Sequence, residues 1–308
     1  MHTYLSRQPS VGDGRLDTIR SEESAARAGS TDPKWEHLLM SPPMAAEQPP
    51  FLWSDLLAHR TALALLQHEL HDVLRIGGTK YWERERGARP VGTELVGELL
   101  AMEALVGSIT EEAVAAAAAA AGASVLTALM DQSAFDAAYP NARTQRDAVV
   151  YPVSLQHVAI GRAAAELSRG GFAVEVYRGR RRADLMTRRL AVGLRKRNDA
   201  AELLGVDAKK YHAWEIEKNP PAGLLAELQA IDDFIEDAAA HLEVKSVAGV
   251  EVVPMLDEQS QFERMYPRAR TLRGETAYPV LVHRVAAARR AQAIAAAGGT
   301  PRIGVVAD

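Results

Sequence analysis

Apolar positions fall into a helical rhythm from about residue 51, and a second rhythm of the same kind starts near residue 185. In the later stretch, MTRRLAVGLRKR carries Leu190 and Leu194 at i, i+4, the spacing of an amphipathic helix. Asn198 is placed to cap a short helix over DAAELL, which Gly205 ends where a left-handed residue is wanted. Asp207 then caps a third helix, AKKYHAWEIEK, with Tyr211 and Trp214 on one face. Asn219-Pro220-Pro221 closes it, because proline cannot continue a helix interior, and GLLAELQAIDDFIEDAAAHL reads as a long amphipathic helix. In the earlier stretch TALALLQHELHDVLRI holds two helices' worth of the same period, followed by Gly77-Gly78-Thr79 and KYWERER. Short strands are expected at SVLTALM, FAVEVY, GVEVVPML and RIGVVA.

The two rhythms are copies of one unit. Residues 132–164 and 259–291 align without a gap, with about 16 of 33 positions identical. The matches include Phe135/Phe262, Tyr139/Tyr266, Pro140/Pro267, Arg143/Arg270, Arg146/Arg273, Tyr151/Tyr278 and Arg162/Arg289. Upstream the repeat weakens, but an offset of 130 still sets Lys80-Tyr81 on Lys210-Tyr211 and Glu85 on Glu215. That register is preferred to the one that pairs Trp82 with Trp214. The expected organisation is a disordered tail over 1–50, a unit over 51–177, a basic linker over 178–184 and a second unit over 185–308. A stacked array needs three or more repeats, so a tandem pair reads as a fused dimer.

The fold expected is mainly α with small β-sheets, an α+β class, each copy's sheet being completed between the copies. Within each unit, helix, short helix, tight turn and aromatic-anchored third helix make a helix-turn-helix pattern. In that pattern the third helix offers its N-terminal face to the major groove. The first 50 residues are rich in Ser, Pro, Glu, Ala and Arg and bury too little apolar surface to offset the entropy of ordering.

The Tyr211, Trp214, Glu215 run, the Phe-x-x-x-Tyr-Pro motifs (Phe135, Tyr139, Pro140 and Phe262, Tyr266, Pro267) and Glu85-Arg86-Gly87 before Pro90 carry a family likeness. The chain resembles the YdiL-like helix-turn-helix family, which includes the anti-CRISPR-associated repressors of phages. The resemblance spans about 51–170 and 185–295. It implies Cro/XRE-type DNA-binding units, each followed by an α/β dimerisation part, that repress transcription at inverted repeats; some members also bind RNA of their own operon. This chain departs by carrying two units in tandem, which implies an intrachain pseudo-dimer.

Composition narrows the chemistry. The 308 residues are 47% hydrophobic and 25% charged, with no cysteine, which excludes disulfides, thiolate metal sites and a cysteine nucleophile. No stretch approaches the roughly 20 apolar residues of a membrane span, and the opening residues lack a secretory pattern, so a cytoplasmic protein is expected. The net charge of −4 means that any nucleic-acid binding needs a local basic face. RGRRRADLMTRRLAVGLRKR supplies one, nine cations against Asp184 alone. Candidate DNA contacts are Thr79, Lys80, Arg84 and Arg86 in the first unit, and Lys209, Lys210, His212 and Lys218 in the second. Arg181, Arg182, Arg195 and Lys196 of the basic run join them. Tyr81, Tyr211 and Trp214 read as core anchors. Arg143, Arg146, Arg270 and Arg273 read either as phosphate contacts or as braces at the junction of the units held by acidic partners, the structural role being preferred. Asp232-Asp233 and Glu236-Asp237 read as a solvated helix face. No catalytic constellation, metal set or cofactor motif is apparent, so no enzyme is expected.

The expected function is a sequence-specific transcriptional regulator, a repressor, bound to double-stranded DNA at an operator with two half-sites. It would act as a monomeric pseudo-dimer or as a further homodimer. The alternative is a protein-interaction module such as an antitoxin or adaptor, or an RNA-binding autoregulator.

Overall fold

In a computed structural model, residues 50–120, 124–247 and 249–306 are described. The expected tail lies outside them apart from Pro50. The first copy runs α1 (Trp53–Ala62), α2 (Gln67–Val73), α3 (Gly78–Glu85), α4 (Thr93–Ala119), β1 (Ser124–Thr127), α5 (Gln132–Ala138), α6 (Ser154–Arg169) and β2 (Val174–Arg178). The short β3 (Arg181–Arg182) follows. The second copy runs α7 (Asp184–Ala191), α8 (Arg197–Leu203), α9 (Ala208–Ile216), α10 (Ala222–His241), β4 (Lys245–Val247), β5 (Val250–Met255), α11 (Gln259–Met265), α12 (Leu281–Ala296) and β6 (Pro301–Val305). The class is α+β, with 12 helices and two three-stranded sheets among the described residues.

The sheets differ in where their third strand sits. In the first, β1 and β2 are parallel, in register Ser124 to Val174, and β3 pairs antiparallel outside β2. In the second, β5 and β6 are parallel and β4 lies outside β5. No ladder joins the two, so the sheets are not completed between the copies as expected. The expected linker is itself structured: its residues close the β2–β3 hairpin and lead directly into α7.

Helix packing crosses between the copies. The long α6 of the first copy lies along α7 of the second, and α12 of the second lies along α1 of the first. One apolar cluster therefore holds Leu56 of α1 and Leu63 just after it together with Leu190 of α7. The other holds Leu185 of α7 together with Ala58 and Ala62 of α1. Gly161 sets the closeness of the α6–α7 crossing: a Cβ there would lie 2.1 Å from the Thr187 carbonyl oxygen, so the backbones touch where a side chain would stand. Its counterpart in the other crossing is Ala288, fully buried.

Polar bonds repeat this exchange. The Ile303 amide of β6 donates to Asp55 Oδ1 on α1 (2.8 Å), and the Val176 amide of β2 donates to Asp184 Oδ1 on α7 (2.9 Å). Each first helix is thus tied at its N-terminal turn to the other copy's last strand, where a carboxylate also suits the helix dipole. Burial nevertheless pushes the Asp55 carboxyl up to about 6, against its bonds to the Leu52 and Ile303 amides and the nearby His59 and Arg302 side chains.

A raised acid binds its proton more tightly when folded. Its contribution to stability is therefore largest below the unfolded value near 4, and it is lost as pH rises through about 6. Asp55 alone should make the fold gain stability, on the order of 2–3 kcal/mol, between pH 7 and pH 4. Urea melts of wild type and Asp55→Asn across that range check this: the always-neutral Asn stands in for the protonated acid, so wild type should lose stability relative to the variant as pH rises from 4 to 7, and parallel curves would refute it.

Inside each copy the same buried brackets recur. Glu98 accepts the amides of Gln145 (2.7 Å) and Arg146 (3.2 Å), and Glu227 accepts those of Leu272 (2.7 Å) and Arg273 (2.8 Å). Gln132 and Gln259 each donate to a tyrosine carbonyl, Tyr151 or Tyr278, and accept the amide two residues further on. Arg143 and Arg270 clamp their own loops through carbonyls, Pro140 and Ala148 or Pro267 and Glu275. These clamps stay within one copy and hold no acidic partner, so Arg143 and Arg270 do not brace the junction of the units as expected. Arg146 reaches the Leu74 carbonyl at the end of α2 (2.5 Å).

The expected solvated face holds for Asp233 and Asp237, which are exposed, but is overturned for Asp232. Asp232 is 2% exposed. It accepts from Arg289 of its own copy (2.7 Å) and from Arg169 of the first copy (2.6 Å), so it stands at the centre of a buried network rather than on a solvated face. These two guanidiniums hold its carboxyl below the usual carboxylate range despite complete burial.

Candidate nucleic-acid interface

The second unit builds its third helix as its sequence suggests. Asp207 takes the N-cap, its carboxylate accepting the amides of Lys209 (3.1 Å) and Lys210 (3.0 Å). Gly205 before it adopts φ +61°, the left-handed turn residue. The α8 cap differs from expectation: Lys196 occupies that position and Asn198 lies inside the first turn. The backbone there leaves Lys196 in the extended region that a cap requires, so the helix starts one residue ahead of the Asn.

Two inward residues fix which face of α9 meets solvent. Tyr211 is fully buried, and Glu215, one turn later, is buried with it. Arg189 of α7 donates to both Glu215 oxygens (2.5 and 3.3 Å) and to the carbonyls of Leu194 (2.6 Å) and Arg195 (2.6 Å). One guanidinium therefore ties the first helix, the turn after it and the third helix together. Burial pushes the Tyr211 hydroxyl far above its ordinary range, so it stays protonated. With Tyr211 and Glu215 inward, Lys209, Lys210 and His212 are exposed.

The first unit repeats the bracket, the Tyr and Glu at an offset of 130 and the arginine at 129. Tyr81 and Glu85 are buried on α3, and Arg60 of α1 donates to Glu85 (2.5 Å) and to the Leu65 carbonyl (2.9 Å). The turn here uses Arg75 at φ +52°, where a side chain meets the steric cost that Gly205 avoids. Thr79, Lys80 and Arg86 are exposed and Arg84 is half-buried. The Arg86 guanidinium lies 4.3 Å over the Trp82 ring.

Around α9 the remaining candidates gather. Arg181 and Arg182 line an open cleft of about 490 Å³ together with Arg197 and Ile216. Arg195, Lys196, Arg197 and His212 line an adjoining cleft of about 650 Å³. Lys218 meets the arginines of the hairpin in a third, of about 280 Å³. Arg197 belongs to the first two, so one cationic surface runs past the start of α8. Not every cation in it faces solvent freely: Arg182 pairs with Glu175 and Asp184, and Arg195 pairs with Glu69 of α2. Arg188 and Arg189 of the same basic run are buried. Thr79, Lys80, Arg84 and Arg86 line none of these clefts and sit on the other unit's third helix.

No family model, curated protein or solved structure matches the chain. The interface therefore has to be judged on its own chemistry. It offers cations, and among the described residues no cluster of His, Cys, Asp and Glu could hold a metal ion. No helix among them is long and apolar enough to cross a membrane. Sequence reasoning passed over Arg180 and Arg197 as site residues. The signal was present, since both lie in the basic run, but only the fold separates its outward members from Arg188 and Arg189.

Proposed function

We propose that the chain is a cytoplasmic, sequence-specific DNA-binding repressor. In this reading the two three-helix sets are Cro/XRE-type helix-turn-helix modules, held as an intrachain pseudo-dimer and each reading one half-site of an operator. The observation that carries it is the duplicated Arg–Glu bracket, Arg60–Glu85 and Arg189–Glu215, which turns the outer face of α3 and of α9 to solvent. A lysine stands at the same place on both helices, Lys80 and Lys210. Exposed lysines at the start of a third helix suit guanine edges in the major groove, and the cations around α9 suit the phosphate backbone. The reciprocal packing of α1 on α12 and of α7 on α6 supports a fixed relation between the heads. Two heads so fixed suit half-sites about one helical turn, roughly 34 Å, apart. The likeness to the YdiL-like repressors points the same way.

Selection of duplexes from a random pool by the intact chain, followed by fluorescence anisotropy on the selected duplex, tests the reading. Lys209→Ala/Lys210→Ala should weaken that complex by about thirtyfold or more, about 2 kcal/mol, for the loss of two groove contacts. It should leave an unrelated duplex much less affected. A pool that yields no common sequence, or a double variant that binds the selected duplex as wild type does, counts against the proposal.

A further inference from the structure

The two modules are not equally equipped around their third helices. Ahead of α7 stand Arg180, Arg181 and Arg182; at the positions equivalent by the Asp55/Asp184 match stand Phe51, Leu52 and Trp53, the last of them the first residue of α1. The sheets carry the same difference, because β3 adds a strand outside β2 while β6 has its sheet's third strand on the far side, outside β5.

The hairpin is anchored at its base and bare at its tip. Arg178 donates to the carbonyls of Leu129 (3.3 Å) and Met130 (3.0 Å), and Arg182 is held by Glu175 and Asp184, both at 2.7 Å. Gly179 turns the chain at φ +63°. Between these anchors Arg180 and Arg181 are exposed, and Arg181 extends toward the Ile216 carbonyl at the end of α9 (3.5 Å). Two guanidiniums thus stand on a braced two-strand support beside the helix that offers Lys209 and Lys210.

We infer that the β2–β3 hairpin is a phosphate-gripping wing that, among the described residues, one module alone carries, so that DNA is held asymmetrically, more tightly at the half-site read by α9. This rests on the proposed DNA-binding function. A guanidinium fork matches phosphate oxygens bidentately, and a braced hairpin loses little freedom on contact. Each phosphate neutralised releases condensed counterions, which gives the wing a salt signature distinct from that of base contacts.

The test uses the full chain with two probes, the selected duplex and an unrelated 30-base-pair duplex, from 50 to 200 mM salt. Arg180→Ala/Arg181→Ala should weaken both complexes alike, by about tenfold at the low-salt end. It should also lower the slope of log affinity against log salt by about 1.8, two phosphates at about 0.9 each. Arg180→Lys/Arg181→Lys should keep most of the slope. Hydroxyl-radical footprints on the selected duplex should lose protection on one flank only. Both substituted side chains are exposed, so an unchanged melting temperature serves as the folding control. If wild type binds DNA and the Ala variant keeps its slope and both flanks, the wing is refuted while the DNA-binding reading stands. If wild type binds neither duplex, or prefers RNA of the same length, the DNA-binding reading fails and the wing with it.

Discussion

Glu215→Ala is expected to cost the fold about 3–5 kcal/mol, because removing one partner of a buried ion pair strands the other. The side chains of Arg189 and Glu215 are 3% and 1% exposed, so water cannot replace what is lost. Arg189 would keep the carbonyls of Leu194 and Arg195 but carry an uncompensated charge, and Arg197, which also contacts Glu215, would lose that acidic partner. Glu85→Ala in the first unit should cost less. Arg60 there is 16% exposed, and water can reach it once the carboxylate is gone. Urea unfolding followed by circular dichroism checks both. Arg189→Met/Glu215→Leu should recover much of the loss, since a buried pair replaced by apolar groups of similar volume is often neutral. A Glu215→Ala loss below about 1 kcal/mol would show that the bracket does not hold α9 in place.

Asp232→Ala is the second large effect, of about 3–5 kcal/mol by the same argument, or a melting temperature lower by on the order of 10 °C. This carboxylate is shared between the copies: Arg289 binds it from α12 and Arg169 from α6. Without it, Arg289 would keep Glu236, whose side chain is 44% exposed, and the Ala191 carbonyl (2.9 Å), while still facing the like charge of Arg162. Acid should act as the substitution does. The folded Asp232 carboxyl lies below its unfolded range, so its contribution is present above pH 4 and is lost as pH falls through the lower folded value. Glu103, held down by Arg162 and His59, follows the same sign. Differential scanning calorimetry at pH 7 and pH 3 should show the Asp232→Ala deficit narrowing in acid. A deficit of the same size at both would mean that the charge is not the cause.

Those two carboxylates mark the boundary of what the sequence reveals. Short-range signals translate directly: the Asp207 cap, the Gly205 turn, Tyr211 as an anchor and the four strand segments all depend on residues within a turn of one another. The offset of 130 is legible too, because a buried Tyr and Glu at i, i+4 leave a pattern that survives divergence. Asp232 is different. Asp232-Asp233 followed by Glu236-Asp237 reads as a wet face when only the helix itself is considered, since what buries Asp232 arrives from residues 57 and 63 positions away. The Arg162/Arg289 identity was the available clue, as a cation kept in both copies inside an alanine-rich helix needs an anion. The basic run misleads for the same reason. Its composition cannot distinguish Arg189, sunk against Glu215, from Arg180 and Arg181, raised on a hairpin, because that choice is made by β2 and β3 pairing.

The bond between Asp55 and the Ile303 amide, and that between the Ser54 hydroxyl and the Ile303 carbonyl, span nearly 250 positions. During synthesis, α1 emerges nearly 250 residues ahead of the strand that its N-terminal turn bonds, so that turn has no partner over the whole interval. Closure at such separation is slow and cannot begin early. The nascent first half therefore waits with an uncovered flank, and this protein should depend on holdase chaperones during translation more than two independent tandem domains of equal size would.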